Sequence, residues 1–270
     1  MSAASTPRRG AGDGGRLSGE VAVVSGSTSG LGAEIARRFG AEGANVVVTG
    51  RSEERGQAVA DEIRDAGGEA AFLAADLTSE EECGRLIDDA AEHYGSLTVL
   101  VNNAVGSDVG SDARVGELST QTWEGVLRVA LTAVLWLCRA AIPHMERAGH
   151  GSIVNISSRA AERATPGLAA YTAAKGGLNA LTRSVAADYA EAGIRCNTLS
   201  PGYILHERRD ADLDADRRHR LEGQQLTRLT EAADVAAAAV YLAGRESEVV
   251  TGILLPVDGG STVARAAKLG

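Results

Sequence analysis

Short apolar runs alternate along this chain with longer stretches whose hydrophobic residues recur at helical spacing. The runs VAVVS at 21–25 and NVVVTG at 45–50 are almost continuously apolar, as expected for parallel strands buried on both faces of a sheet. Between them, LGAEIARRFGAEG has the amphipathic spacing of a helix, with a glycine stop at Gly43. A strand, a helix and a strand in this order indicate a parallel sheet with helices packed on its faces.

The same alternation continues to the end of the chain. Ser52 is placed to open a second helix that closes at Gly67, and Ser79 is placed to open a third. No linker rich in proline or serine divides the series, so we predict one domain over 19–264, with flexible tails at 1–18 and 265–270. The remaining strands are predicted at 70–76, 97–104, 152–157, 195–200 and 253–258, and the remaining helices at 119–147, 168–192 and 231–243.

Segment 204–225 interrupts this rhythm. It reads ILHERRDADLDADRRHRLEGQQ, with many charges and few apolar positions. Such a run of charge is most often a solvated surface excursion. A long insertion in an α/β domain also suits a substrate lid, and the sequence alone leaves both interpretations open.

The composition narrows the class of function. Of the 270 residues, 44% are hydrophobic but only 3% are aromatic, so Ala, Val, Leu and Ile must build the core. The 33 glycines imply many tight turns and close approaches of the backbone. The net charge of -9 disfavours nucleic acid as a general partner, because an acidic surface repels the phosphate backbone.

Cysteine usage and hydropathy bear on the compartment. Cys83, Cys138 and Cys196 are scattered, and neither they nor the histidines have the spacing of a disulfide framework or a metal site. The N-terminal stretch lacks the apolar segment of a secretory signal, and VALTAVLWLC at 129–138 is too short to span a bilayer. We therefore expect a cytoplasmic protein without a metal and without a membrane partner.

A glycine-rich segment, SGSTSGLG at 25–32, leads from the first strand into the first helix. Gly26 permits a tight turn, Gly30 lets the backbone approach a pyrophosphate, and Gly32 allows helix and strand to pack closely. The spacing is GxxxGxG rather than GxGxxG, and glycine-rich turns also arise for purely structural reasons. Its place before a helix N-terminus, where free N–H groups favour an anion, indicates a dinucleotide site rather than a structural turn.

The residues that follow the second strand bear on the choice of dinucleotide. An NAD site usually offers a carboxylate there to the ribose 2′-hydroxyl, but this chain has Gly50 and then Arg51. Arg51 can pair with a 2′-phosphate through charge-assisted hydrogen bonds, although an ordinary surface arginine at a strand end is the alternative. We favour NADP(H) over NAD(H).

Several short motifs follow one another in an order that resembles the short-chain dehydrogenase/reductase superfamily in its one-domain form. The resemblance covers nearly the whole chain after the N-terminal tail. It implies a Rossmann-like, doubly wound, seven-stranded parallel sheet with helices on both faces, and a dimer or tetramer assembled through the long helices. The motifs are SGSTSGLG at 25–32, DL at 76–77, NNA at 102–104, ISS at 156–158, YTAAK at 171–175, SPG at 200–202 and VDGG at 257–260.

The same resemblance implies where a nicotinamide cofactor binds. Asp76 and Leu77 resemble the pair at the adenine ring, and Asn103 and Ala104 resemble the segment along the adenosine ribose. The glycine loop and the segment past the nicotinamide complete the set, together with Tyr171 and Lys175. The loop contributes Gly26, Ser27, Ser29, Gly30, Leu31 and Gly32, and the nicotinamide segment contributes Pro201, Gly202 and Ile204.

Three residues carry the implied chemistry. Tyr171 resembles the general acid that protonates a carbonyl oxygen as hydride arrives. A free phenol has a pKa of about 10, so a nearby cation must lower it for proton exchange near neutrality. Lys175 lies one helical turn later on the same face and resembles the residue that does this and also binds the nicotinamide ribose. Ser158 resembles the residue that positions the carbonyl.

Three positions depart from the family's pattern. Ala130 stands where the family usually has an asparagine whose backbone carbonyl orders a water in a proton relay. Val105 replaces a glycine, and His206 replaces a threonine near the nicotinamide. Ala130 and Val105 favour, as an alternative to an oxidoreductase of carbonyls and secondary alcohols, a catalytically weak cofactor-binding sensor or scaffold on the same fold. The intact serine, tyrosine and lysine favour the enzyme.

Overall fold

The computed structural model describes residues 14–205, 210 and 213–263. Its centre is a seven-stranded sheet in the order β3-β2-β1-β4-β5-β6-β7, and every neighbouring pair is parallel, as the sequence predicts. Each strand begins and ends within three residues of its predicted bounds. The strands are β1 Val21–Val24, β2 Asn45–Gly50, β3 Glu69–Ala74, β4 Val99–Asn102, β5 Gly151–Ile156, β6 Ile194–Pro201 and β7 Leu254–Val257.

Helices cover both faces of the sheet. Successive residues of β1 point to opposite faces: Ala22 and Val24 belong to a core with α1, α2 and α8, whereas Val21 and Val23 belong to a core with α3, α5 and α6. This double burial explains why the strands are apolar runs without alternation. The helices are α1 Gly30–Ala41, α2 Glu53–Asp65, α3 Glu80–Tyr94, α4 Thr120–Leu127, α5 Ala133–Ala148, α6 Ala169–Asp188, α7 Ala215–Glu222 and α8 Ala232–Ala243.

The helix predicted at 119–147 has an internal irregularity. It forms one continuous stretch, Thr120–Ala148, but its middle, Arg128–Thr132, is a π-helical turn. By length and composition alone this stretch would pass as a membrane span. Leu137 and Met145 are fully buried in the core beneath the sheet, so the stretch is a core helix of the α/β domain.

The packed domain begins earlier than residue 19. Leu17, which the sequence assigns to the flexible tail, is fully buried in the core with α1 and α8, and its N–H donates to the carbonyl of Glu42 at 2.9 Å. Arg16 forms an ion pair with Glu246. The tail prediction is therefore wrong for residues 14–18, because one apolar side chain in a polar, glycine-rich stretch fills the gap beside these helices.

Most of the described part of segment 204–225 is solvated, although Gln225 is buried. Asp214 accepts a hydrogen bond from the N–H of Arg217 at 2.6 Å and so caps α7, in which every residue is at least partly exposed. Arg218 pairs with Glu222 one turn later. This arrangement agrees with a solvated excursion; a role as a substrate lid stays a prediction.

Candidate active site

The glycine loop lies between β1 and α1, at the carboxyl edge of the sheet. Gly26 and Gly30 have positive φ angles of 65° and 57°, a region that favours glycine. A Cβ on Gly32 would lie 2.4 Å from the carbonyl oxygen of Gly26, so only glycine permits this approach of helix to turn. Ser29 makes no side-chain capping bond, which leaves the first N–H groups of α1 available to an anion.

A cavity of about 410 Å³ opens in front of this loop. The structure therefore brings together ten of the residues that the sequence assigns to cofactor binding, from four separate parts of the chain. Their convergence at the carboxyl edge of β1, β2, β3 and β4 is the geometry of a ligand site in an open parallel sheet. The ten residues are Gly26, Ser29, Gly30, Leu31, Gly32, Arg51, Asp76, Leu77, Asn103 and Ala104.

Ser27 does not line the cavity, and its predicted role in binding the cofactor is not supported by its position. Its side chain is fully buried, donates to the carbonyl of Val24 at 2.6 Å and accepts from the N–H of Thr49 at 2.9 Å. These bonds tie the exit of β1 to β2. Asn103 has a similar bracing function in addition to its place in the lining, because its amide donates to the carbonyls of Ser25 and Gly26.

The end of the cavity beside β2 and β3 contains two arginines. Arg51 is one of the predicted residues, and Arg55, in the first turn of α2, also lines the cavity although the sequence analysis does not identify it. The pKa of Asp76 lies below its usual value, chiefly because the N–H of Thr78 donates to its carboxylate at 3.0 Å and also because of the charge on Arg51. The lining residues that the sequence did not identify are Thr28, Arg55, Ala75, Thr78, Gly106, Ser107, Asp108 and Val129.

Lys175 and Tyr171 lie one turn apart on α6. The Lys175 side chain is enclosed by protein, and its ammonium donates to the carbonyl of Ile156 at 2.7 Å. The same ammonium lies 5.7 Å from the centre of the Tyr171 ring, which is partly buried. Burial lowers the pKa of Lys175 to about 8, so the lysine is still charged at neutral pH. A cation is thus held beside the phenol ring.

Ser158 follows the last residues of β5 and caps a short 3-10 turn, Arg159–Ala161, that packs on α6. Its hydroxyl oxygen accepts from the N–H of Ala160 at 3.1 Å. Because the oxygen is the acceptor in that bond, the hydroxyl hydrogen can be donated to a ligand. The structure therefore places an O–H donor and the tyrosine–lysine pair on adjoining elements.

The segment predicted to pass the nicotinamide lies outside the lining of the 410 Å³ cavity. The N–H of Gly202 donates to the carbonyl of Val257 at 2.9 Å, and a Cβ on Gly202 would lie 2.8 Å from Cα of Asp258. Ile204 forms an isolated bridge with Thr230. Pro201 to Ile204 are thus held against β7 and the segment before α8, and His206 lies outside the described residues.

Two departures from the family pattern have defined surroundings. Ala130, at the centre of the π-helical turn, is fully buried with Val126, Ala170 and Ala174 in a small apolar cluster on which Tyr171 packs. Such turns often occur at functional sites, because they displace backbone carbonyls from the helical pattern. Val105 lines the cavity but is 50% exposed, so its bulk is directed toward open space.

Known proteins resemble this chain over most of its length. A family model described as enoyl-(acyl carrier protein) reductase matches residues 26–262. The 3beta-hydroxysteroid dehydrogenase 1 of Eggerthella lenta is 40% identical over 252 residues, which cover 92% of this chain and 95% of that protein.

Two solved structures have the same fold. A gluconate 5-dehydrogenase from Burkholderia cenocepacia, in complex with NADP and tartrate, superposes with a TM-score of 0.85 at 34% identity, over 92% of this chain and 97% of that one. A 7 alpha-hydroxysteroid dehydrogenase, complexed with NADH and 7-oxo glycochenodeoxycholic acid, has a TM-score of 0.85 at 32% identity, over 91% and 95%.

Proposed function

The chain belongs to the short-chain dehydrogenase/reductase superfamily, and the relatives compared above are NAD(P)-dependent enzymes acting on CH–OH groups. On that premise we propose that this protein interconverts a secondary alcohol and its carbonyl compound with NADP(H) as cofactor. The observation that carries this proposal is the enclosed Lys175 ammonium beside the Tyr171 ring, on an element that adjoins Ser158.

The residues of the 410 Å³ cavity fit a dinucleotide. Gly26 and Gly30 adopt positive φ angles, and Gly32 packs so closely on the turn that a Cβ there would collide with the carbonyl oxygen of Gly26. The first N–H groups of α1, which have no side-chain cap, lie at this wall of the cavity. A nicotinamide cofactor bound there would supply or accept the hydride. The chain's own residues would bind its pyrophosphate at α1 and its adenosine end beside Asp76 and Leu77.

Tyr171 is proposed as the general acid in reduction and the general base in oxidation. A cation beside a phenol favours its deprotonated form, and the Lys175 ammonium would act on Tyr171 in this way. The carbonyl of Ile156 fixes the ammonium with one of its three hydrogens and leaves two for the phenol oxygen and the cofactor ribose. Ser158 would donate its O–H to the substrate oxygen and hold it beside the phenol.

The preference for NADP(H) rests on the charge at the end of β2. Gly50 offers no carboxylate, and Arg51 and Arg55 both line the cavity at the start of α2. Ser52 caps α2 without a side-chain hydrogen bond, so its hydroxyl is also available to a phosphate. The solved relatives do not decide the preference, because one holds NADP and another NADH.

We also propose a homo-oligomer, in the cytoplasm, assembled through the long helices. Trp123 and Leu135 are 38% and 45% exposed along α4 and α5, an apolar face that a second copy would cover. Light scattering that gives a monomer mass at micromolar concentration would refute this.

The direct test is turnover. For reduction, purified protein is mixed with NADPH and a panel of ketosteroids, keto sugar acids and cyclic ketones. For oxidation, it is mixed with NADP⁺ and the matching alcohols. We expect turnover of at least one pair, lowered at least about 100-fold in Tyr171→Phe. Tight NADPH binding without turnover across the panel, unchanged by Ala130→Asn, would instead favour the sensor or scaffold alternative.

A further inference from the structure

The first turn of α6 carries Tyr171 but has no cap from its own sequence. Leu168 occupies the N-cap position, where Ser, Thr, Asp or Asn is usual, and no acidic residue lies in the first turn. The backbone of Leu168, at φ -126° and ψ 52°, is not in the extended conformation from which an N-cap side chain reaches the helix N–H groups. The N–H groups of the first turn are therefore open to a group from elsewhere.

Asp112 supplies that group from 58 residues away. Its Oδ1 accepts from the N–H of Ala170 at 3.1 Å, and its Oδ2 accepts from the N–H of Tyr171 at 2.8 Å. Each carboxylate oxygen thus binds one N–H of the first turn, and the negative charge lies at the positive end of the helix dipole. One of the two bonded residues is the proposed general acid itself.

The segment that leads into Asp112 is anchored by several contacts. A short 3-10 turn, Ser107–Ser111, precedes it, and the Asp112 N–H donates to the carbonyl of Val109 at 3.3 Å. Val109 packs on the apolar cluster that contains Ala170 and contacts Tyr171. Ser107 and Asp108 line the cofactor cavity. One continuous segment therefore links the wall of this cavity to the helix that carries the tyrosine.

We infer that Asp112 is a positioning residue for Tyr171: it fixes the first turn of α6 and thereby the placement of the phenol relative to Lys175 and Ser158. The inference rests on the proposed function in assigning Tyr171 the proton transfer. Asp112 contacts the backbone of α6, so it acts through the tyrosine. A misplacement of a reacting group by about 1 Å can lower a rate about 100-fold. Loss of this cap should therefore affect the reaction rate more than it affects the stability of the fold.

The experiment compares Asp112→Ala and Asp112→Asn with Glu117→Gln, which removes an exposed carboxylate from the same segment. Hydrogen exchange is followed at the amides of Ala170 and Tyr171, and kcat, KM and the NADPH Kd are measured with whichever substrate turns over. Asp112→Ala should exchange these two amides at least about tenfold faster and lose about tenfold or more in kcat, with KM and Kd within about threefold. Asp112→Asn keeps one carbonyl acceptor, so its amide exchange rates and kcat should lie between those of Asp112→Ala and the unmodified protein. Glu117→Gln should have the same exchange rates and kcat as the unmodified protein.

Any one of three results overturns the inference. Unchanged protection of both amides in Asp112→Ala refutes the cap, and faster exchange with unchanged kcat refutes the positioning role. The tyrosine environment gives a reading that needs no substrate: the ζ-carbon NMR signal of Tyr171, assigned with Tyr171→Phe, should shift in Asp112→Ala and remain in place in Glu117→Gln. If the unmodified protein turns over no substrate, but Asp112→Ala speeds amide exchange and shifts the Tyr171 signal, the proposed function fails and the cap stands. If the Tyr171 signal does not move, the positioning role fails.

Discussion

The ammonium of Lys175 lies 5.7 Å from the centre of the Tyr171 ring and is enclosed by protein. A lysine in that position has lost most of its water, and the 2.7 Å bond to the carbonyl of Ile156 replaces only part of it. Its charge is therefore less stable than on a surface lysine, and the chemistry of the tyrosine depends on whether that charge is present.

This dependence predicts a pH limit. Burial lowers the pKa of Lys175 from 10.5 to about 8, so the cation is present below pH 8 and is lost as the pH rises through that value. For carbonyl reduction, kcat/KM of the free enzyme should fall along a limb near pH 8. Lys175→Arg keeps a cation at all these pH values and should move the limb upward, even if its maximal rate is lower. A limb at the same pH in Lys175→Arg would assign it to another group.

Cofactor choice should depend on the two arginines. Arg51→Ala and Arg55→Ala should each weaken NADPH binding about 10- to 100-fold, the cost of about one charge-assisted hydrogen bond, and change NADH binding by less than about twofold. Arg64→Ala removes an arginine from the distal end of α2, where it pairs with Asp61, and is the matched control. Fluorescence titration gives the dissociation constants, and equal losses for both cofactors would contradict the assignment.

The glycine loop offers a sharper structural test. A methyl group on Gly32 would lie 2.4 Å from both the carbonyl oxygen of Gly26 and the amide nitrogen of Asn103. Gly32→Ala should therefore lower the melting temperature and weaken NADPH binding more than about tenfold. Gly84→Ala, in α3, meets no atom within 4 Å and should stabilise the protein by about 0.5–1 kcal/mol without changing NADPH binding. Normal binding by Gly32→Ala would contradict the close approach described here.

Stability should depend on pH through the ion pair of His150 and Glu20, 3.1 Å apart at the opposite edge of the sheet. Burial acts to raise the pKa of Glu20, but hydrogen bonds from His150 and Thr98 outweigh it and lower the pKa below 4.5. The bond to Glu20 raises the pKa of His150 above 6.5. The pair contributes fully between about pH 4.5 and 6.5. Its contribution falls as the pH drops through the lowered value or rises through the raised one.

A double-mutant cycle of Glu20→Gln and His150→Gln isolates this term. His150 is half exposed, so solvent screening should hold the coupling free energy below about 1 kcal/mol at pH 6. Urea unfolding at pH 6 and pH 9 should show the coupling at the lower pH and its loss at the higher one. Equal coupling at both values would show that the bond does not require a charged histidine.

The sequence predicts the sheet and the glycine turn well because both have local causes. Strands buried on two faces must be apolar throughout, and a positive φ at Gly26 or Gly30 requires a residue without Cβ. The spacing of glycines does not reveal which intervening side chain faces the ligand, and the side chain of Ser27 lies buried outside the cavity. Arg55 could have been predicted, since it lies only four residues after Arg51, in the first turn of the predicted helix that Ser52 opens.

Features that depend on tertiary contacts escaped the sequence. Leu17 is a single apolar residue in a polar stretch, with no periodicity to mark its burial. The π-helical turn around Ala130 contains no glycine or proline from which it could be predicted. The carboxylate of Asp112 contacts α6 because the fold brings the segment before α4 to the start of α6, 58 residues later in the chain. Each of these is specified by a partner distant in the chain.

The most direct test of the account is the rate of carbonyl reduction by Tyr171→Phe, with NADPH and the best substrate of the panel. The substitution removes the phenol oxygen and keeps the ring. In Tyr171→Phe, turnover should fall about 10²- to 10⁴-fold while the NADPH dissociation constant stays within about twofold. Undiminished turnover in Tyr171→Phe would contradict the assignment of proton transfer to this residue.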